Sequence, residues 1–99
     1  MSFEPWALLG QFAAVRFSVV AESSSGLLPR LLEPFARRDL CPDSFEASQR
    51  GDEMRVEIAM QAMPAEMVHL VEGNLRNVVG VRSISHRQEV TGSVRRRAA

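Results

Sequence analysis

Two segments of this chain place apolar residues at every second position, and this period of two is the strongest constraint on its fold. The first segment runs from Phe12 to Ala21, and its apolar face carries Ala13, Val15, Phe17, Val19 and Ala21. The second runs from Glu53 to Gln61, and its apolar face carries Met54, Val56, Ile58 and Met60. Because side chains alternate across a strand, both segments are predicted to be strands. One face of the sheet is then buried, and the other, with Arg16, Arg55 and Glu57, is open.

Two further segments repeat apolar residues at helical spacing. The first is predicted to form a helix from Leu27 to Arg38, with an apolar stripe of Leu28, Leu31, Leu32 and Phe35. Pro34 removes an interior hydrogen bond, so we expect a kink there or a helix that ends early and restarts. The second helix is predicted from Pro64 to Asn77, with a stripe of Met67, Leu70, Val71, Leu75 and Val78.

The remaining strands complete a known order of elements. A strand from Asp43 to Arg50 follows Pro42, which favours the edge of a sheet. A last strand is predicted from Val79 to Ser85, where Val81 and Ile84 differ in parity, so we expect a bulge or an early end. The order strand, helix, strand, strand, helix, strand predicts an α+β, ferredoxin-like fold. This fold has a four-stranded antiparallel sheet of order 4-1-3-2 with both helices on one face.

Length and charge narrow the class of protein. Ninety-nine residues suffice for one domain. We predict this domain at residues 11–86, after an N-terminal arm at 1–10 and before a disordered basic tail at 87–99.

The first residues lack the basic start of a signal peptide, and no apolar run is long enough for a bilayer, so we expect a cytoplasmic protein. A formal net charge of zero argues against nucleic acid or an anionic membrane as partner.

The sequence contains no pattern that predicts catalysis. All twelve basic residues are arginine, which excludes lysine-based chemistry. Cys41 is the single cysteine, so there is no internal disulfide, and we interpret it as a small buried apolar residue. His69 and His86 have no neighbouring ligand at metal-binding spacing, and the serines at 23–25 have no local base. We therefore expect a protein without enzymatic activity, metal or cofactor.

The loop between the first strand and the first helix is the best candidate for a binding site. We interpret Gly26 as a turn residue that permits a positive φ or the close approach of a ligand. The N–H groups of a first helical turn carry partial positive charge, so a carboxylate could dock at Gly26 and Leu27. The alternative is a serine-capped helix start that binds nothing.

The stretch RFSVVAESSSGLLPRLLEPFARRDL resembles the opening of ACT domains, where a strand precedes Asp/Asn-x-x-Gly-x-Leu and a helix ending in Phe-x-x-Arg. The likeness continues through DSFEASQRGDEMRVEIAM and NLRNVVGVRSIS, and it covers Arg16 to His86. The last segment is similar to the small regulatory subunits of acetolactate synthase. The resemblance implies an allosteric regulatory domain that binds a small amino acid between two paired copies. For that subfamily it implies a branched-chain amino acid and the catalytic subunit of acetolactate synthase as partner.

The resemblance also implies a set of ligand-binding residues: Ser23, Ser24, Ser25, Gly26, Leu27, Leu28, Cys41, Pro42, Asp43 and Ser44. Two of them depart from the family pattern. Ser23 stands where the family has aspartate or asparagine, and Cys41 where many such subunits have asparagine. We expect a homodimer that pairs side by side through the second strands and first helices, because the second strand is an exposed edge. The alternative is an assembly module of the same fold that binds no ligand.

Overall fold

A computed structural model describes residues 11–90 of the chain, so the predicted arm at 1–10 and the tail from residue 91 onward lie outside the described residues. The elements are β1 (Phe12–Glu22), α1 (Leu27–Ala36), β2 (Ser44–Arg50), β3 (Glu53–Pro64), a short 3-10 helix (Ala65–Met67), α2 (Val68–Arg76) and β4 (Val81–Val90). The four strands form one antiparallel sheet in the order β2-β3-β1-β4. The predicted ferredoxin-like fold is confirmed.

The strand β1 lies in the middle of the sheet and supplies the centre of the core. It pairs with β3 on one side and with β4 on the other. Its alternate residues are all buried, as the period of two predicted: Ala13, Val15, Phe17, Val19 and Ala21. Phe17 meets Phe35 of α1 edge to face, with ring centroids 5.8 Å apart. The side chains of Arg16 and Arg55 are exposed on the opposite face, which we call the outer face.

A bulge in β3 makes that strand longer than the sequence predicts. Ala13 pairs with Met63 and Val15 pairs with Met60, so Ala14 lies opposite two residues of β3. The extra residue resets the alternation, and Met63 is buried although it lies three positions after buried Met60. The strand therefore continues to Pro64 rather than ending at Gln61.

A second bulge explains the change of parity in β4. Val20 pairs with Ser83 and Ala21 pairs with Val81, so the predicted bulge is present between these pairs. The strand also extends beyond Ser85 to Val90. Residues 87–90, which the sequence assigned to a disordered tail, thus pair with β1.

The two helices are rotated relative to their predicted apolar stripes. The residues of α1 that are buried are Leu27, Leu31, Pro34 and Phe35, and those of α2 are Val68, Val71 and Leu75. Leu32 and Leu70 were predicted to be buried, but they are 37% and 54% exposed. Pro34 packs inside one continuous helix that ends at Ala36, so the helix does not restart. The helix α2 begins at Val68 and not at Pro64, because Pro64 is the last residue of β3 and the short 3-10 helix follows it. Neither helix has the length and apolar character needed to span a bilayer.

Truncation of Ile58 should destabilise the fold strongly, because this residue of β3 is fully buried between β2 and β1. The substitution Ile58→Ala should lower the free energy of unfolding by about 2–5 kcal/mol, because it removes buried methyl groups and leaves a cavity. Urea denaturation followed by circular dichroism measures this change. The control Val79→Ala alters a side chain that is 76% exposed and should change stability by less than about 0.5 kcal/mol. Equal effects of the two substitutions would contradict the assigned core.

Candidate functional site

The loop between β1 and α1 is anchored to the end of the sheet. The Ser23 N–H donates a hydrogen bond of 2.8 Å to the carbonyl of Asp52, in the turn between β2 and β3. The Leu27 N–H donates to the carbonyl of Ser24 over 3.2 Å. These bonds hold the loop and the start of α1 beside the hairpin, so the first predicted half of the site is a fixed structure.

Gly26 precedes α1, but its backbone does not need glycine. Its φ is −95°, which corrects the expectation of a positive φ. The space beside it is filled by Arg30: a Cβ built on Gly26 would lie 3.1 Å from Cζ of the Arg30 guanidinium. Arg30 therefore folds back over the helix N-terminus, which the sequence analysis did not foresee.

The N–H groups that remain available at this helix start differ from those predicted. The Leu27 N–H is already bonded to Ser24. Within residues 11–90, the N–H groups of Gly26 and Leu28 have no acceptor. Pro29 contributes no donor, so Gly26, Leu28 and the nearby Arg30 guanidinium are the groups that could receive an anion.

The second predicted half of the site precedes β2. Cys41 is exposed, which corrects the interpretation of a buried residue. The Asp43 N–H donates to the carbonyl of Ala59 over 2.8 Å, and its Oδ2 accepts a 2.6 Å hydrogen bond from the Gln61 N–H. Asp43 thereby fixes the start of β2 against β3, and its carboxylate is engaged in the fold.

The two halves lie at opposite ends of β2 within one chain. The first follows Glu22, whereas Ser44 pairs with Ala59, which in turn pairs with Arg16. Glu22 lies six positions after Arg16 along β1, a distance of about 20 Å. One copy of the chain therefore does not bring the whole predicted set together.

The edge of the fold along β2 is incompletely covered. The inward-facing residues of β2 pair with buried residues of β3, yet Ala47 and Gln49 are exposed and Phe45 is only half buried. On α1, one side faces the end of α2 across a groove lined by Arg30, Glu33 and Arg37. Leu28 and Leu32 lie on the other side of that helix, by the 100° rotation per residue.

We call the apolar residues on this side of α1 and on the inner face of β2 the β2 edge: Leu28, Leu32, Phe45 and Ala47. Leu28 and Phe45 pack partly against the core. Leu32 is 37% exposed. The β2 edge runs between the two halves of the predicted site, so a partner on this edge would lie next to both.

The match to a family model decides the classification of the chain. Residues 10–92 match the model described as an ACT-like domain, and this range includes every strand and helix of the fold. The chain belongs to the ACT-like domain family. No curated protein matches its sequence at a significant level.

Solved structures show the same fold. The ACT domain of the GTP pyrophosphokinase from Chlorobium tepidum is similar with a TM-score of 0.66 and 14% identity, over 78% of this chain and 99% of that one. A homoserine dehydrogenase from Thiobacillus denitrificans is similar with a TM-score of 0.67 and 10% identity, over 78% of this chain but only 17% of that one. An uncharacterised protein from Thermotoga maritima gives a TM-score of 0.64 at 10% identity, over 78% of this chain and 96% of that one. At these identities the likeness shows the fold alone.

A polar cluster in this ACT-like domain was missed by the sequence analysis. Nδ1 of His86 on β4 lies 3.1 Å from Oε2 of Glu72 on α2, and the His69 ring lies 6.0 Å from the His86 ring. The Nδ1–Oε2 contact is close but poorly aligned for a hydrogen bond, so we treat it as mainly electrostatic. The strand pairing explains why His86 reaches Glu72: His86 lies opposite buried Phe17 and so faces the helices. The described residues contain no group of three or more ligands that could hold a metal.

The surroundings of Glu72 change the acidity of its carboxyl group. Partial burial raises the pKa of the Glu72 carboxyl, but the contacts with His86 and with Arg76 at 3.3 Å together outweigh burial. Its pKa therefore lies below the ordinary value of 4.5. The cluster ties α2 to β4, and we assign it a structural role.

The lowered pKa of Glu72 predicts a pH-dependent contribution to stability. Its ionised form is favoured by folding, so the contribution is complete above pH 4.5 and is lost as the pH falls through the lowered pKa. Glu72→Gln should reduce the free energy of unfolding by about 1 kcal/mol at pH 7 and should flatten its decline in acid. Urea titrations across the acid range measure both effects. The exposed Glu66 provides the control, and if Glu66→Gln flattened the acid decline equally, the assignment would be wrong.

Proposed function

We propose that this chain is a non-catalytic regulatory domain that binds a branched-chain amino acid between two copies paired along their β2 edges. The observation that carries the proposal is the helix start at Gly26–Leu28, with two available N–H groups and a guanidinium, beside an incompletely covered apolar edge. Polar donors next to an apolar surface suit a ligand with a carboxylate and an apolar side chain.

The carboxylate of the amino acid is proposed to meet the N–H groups of Gly26 and Leu28. The positive end of the α1 dipole favours an anion at this point. Arg30 would add a charge-assisted hydrogen bond, since its guanidinium already lies over Gly26. This arrangement replaces the Gly26 and Leu27 pair that the sequence predicted.

Antiparallel pairing of two β2 strands would bring the separated halves of the site together. A twofold axis through the middle of β2 places Ser44 of one copy opposite Arg50 of the other. The helix start of one copy then lies near the partner's Pro42 and the partner's Phe45. The ligand side chain would enter the apolar seam between Leu28 and those residues, which suits valine, leucine or isoleucine.

The regulated enzyme is part of the same proposal. The segment NLRNVVGVRSIS resembles the small subunits of acetolactate synthase, so the catalytic subunit of that enzyme is the partner we propose, in the cytoplasm. The support is the motif resemblance together with the ACT-like family. The regulated pathway would be the biosynthesis of branched-chain amino acids.

Specific residues favour a second candidate, an assembly module that pairs chains without a ligand. Ser23 and Cys41 stand where the family pattern has ligand-binding side chains, and the Leu27 N–H is occupied by Ser24. Pairing along the β2 edge requires none of these groups. Both functions predict a dimer, and only the regulatory function predicts ligand binding.

Calorimetry with valine, leucine and isoleucine separates the two functions. The regulatory function predicts saturable binding of at least one of them at sub-millimolar concentration. Gly26→Val should abolish binding with the fold retained, because the new side chain displaces the flexible Arg30 guanidinium and also blocks the approach of a carboxylate to the N–H groups of the helix start. Arg30→Gln should weaken binding about tenfold, as expected for the loss of a charge-assisted hydrogen bond.

Matched substitutions elsewhere control for general damage. Gly73→Val introduces the same side chain where nothing lies within 4 Å of a new Cβ. Arg37→Gln removes the same charge two turns along the same helix face. Both variants should bind as the unaltered chain does. If none of the three amino acids binds below millimolar concentration, the regulatory function is wrong and the assembly function stands.

A further inference from the structure

Two arginines lie side by side on the outer face, far from the loop that precedes α1. Arg16 of β1 pairs directly with Arg87 of β4. Cβ atoms of directly opposed residues are about 4.5–5.5 Å apart, and like charges at that spacing repel each other. Nearby negative charge would therefore stabilise the pair.

The described residues supply only part of that negative charge. Nη1 of Arg16 lies 4.0 Å from Oε1 of Glu57, and the two side chains are 54% and 43% exposed. The same oxygen accepts a 3.0 Å hydrogen bond from the Ser18 hydroxyl. Within residues 11–90, Arg87 makes no ion pair. One guanidinium is thus loosely paired and the other has no acidic partner.

A groove of about 260 Å³ opens next to the arginine pair. The lining side chains that face outward are Ala14, Arg16, Ala59, Gln61, Arg87 and Glu89. Ala14 and Ala59 leave a low apolar floor between longer neighbours, and the β3 bulge lies opposite Ala14. On its other side the arginine pair borders a polar groove of about 300 Å³ with Ser18 and Ser85.

We propose that the outer face binds a small monocarboxylate, with its carboxylate on Arg16 and Arg87 and its apolar body over Ala14 and Ala59. Guanidinium groups match the planar geometry of a carboxylate with two parallel hydrogen bonds. The alanine floor gives the apolar body a surface from which water is displaced. This site is separate from the one proposed between two copies, and it does not depend on that proposal.

The nearby acidic groups set the charge of the ligand. Glu57 offsets part of the charge of Arg16, and Glu89 lines the groove. The formal charges of Arg16, Arg87, Glu57 and Glu89 sum to zero, so the positive charge is local to the two guanidinium groups and suits a ligand with a single negative charge. A dianion such as hydrogen phosphate would be repelled by Glu89, and the apolar floor would offer it nothing.

Nitrogen-15 NMR titration of the full chain with sodium isobutyrate, at pH 7 and constant ionic strength, tests the proposal. The expected result is saturable shifts of the Arg16, Ala59 and Arg87 amides, with little change at Ser25 and Leu28. Isobutyramide has the same shape without the charge and should give no saturable shift. Inorganic phosphate should bind at least tenfold more weakly than isobutyrate.

Two variants test the proposed site, and a third is the matched control. Arg87→Gln should weaken isobutyrate binding at least tenfold, and Ala59→Val should do so by filling the floor while both arginines stay. Arg82→Gln removes the same charge from the same strand, where Arg82 pairs with Glu53 at 3.6 Å, and should leave binding unchanged. Equal affinity of the Arg87→Gln and Arg82→Gln variants would overturn the proposal. Shifts that never saturate, or equal binding of phosphate, would also overturn it.

Discussion

The fold depends on the alternation of β1, a central strand that pairs with β3 and β4 and buries one full face. Five alternate residues of this strand enter the core, and Phe17 among them contacts Phe35 of α1. Because β1 is central, its register fixes the positions of β3 and β4, and its end fixes where the loop to α1 begins. The helix start at Gly26 and the arginine pair on the outer face both follow from this one strand.

The surfaces that the fold leaves uncovered indicate what it can do. A four-stranded sheet with helices on one face has an outer face and two edges. Here the outer face carries Arg16 and Arg87, and the β2 edge carries exposed Leu32 and Ala47. The first surface is charged and suits a small anion. The second is apolar, lies along a strand whose outer edge has no neighbouring strand among the described residues, and suits a second copy of the chain.

The sequence predicts those features that follow from local periodicity. The faces of β1 and β3 and the strand order follow from alternation and element order, and Val56 and Ile58 are buried as expected. Features that depend on packing between elements could not be predicted. The rotation that exposes Leu32 is set by contact with the sheet and α2, and the folding of Arg30 over Gly26 depends on a side-chain conformation. The meeting of His86 with Glu72 requires the register of β4, which no local pattern contains.

The central claim is that two copies pair along the β2 edge, and the solution mass tests it most directly. Static light scattering at micromolar concentration should give about twice the chain mass of 11.0 kDa. Leu32→Glu places a charge in the proposed interface and should give the monomer mass, whereas Leu70→Glu changes a 54% exposed leucine of α2 and should leave the dimer intact. A monomer mass for the unaltered chain, or a dimer that Leu32→Glu does not disturb, would contradict this account.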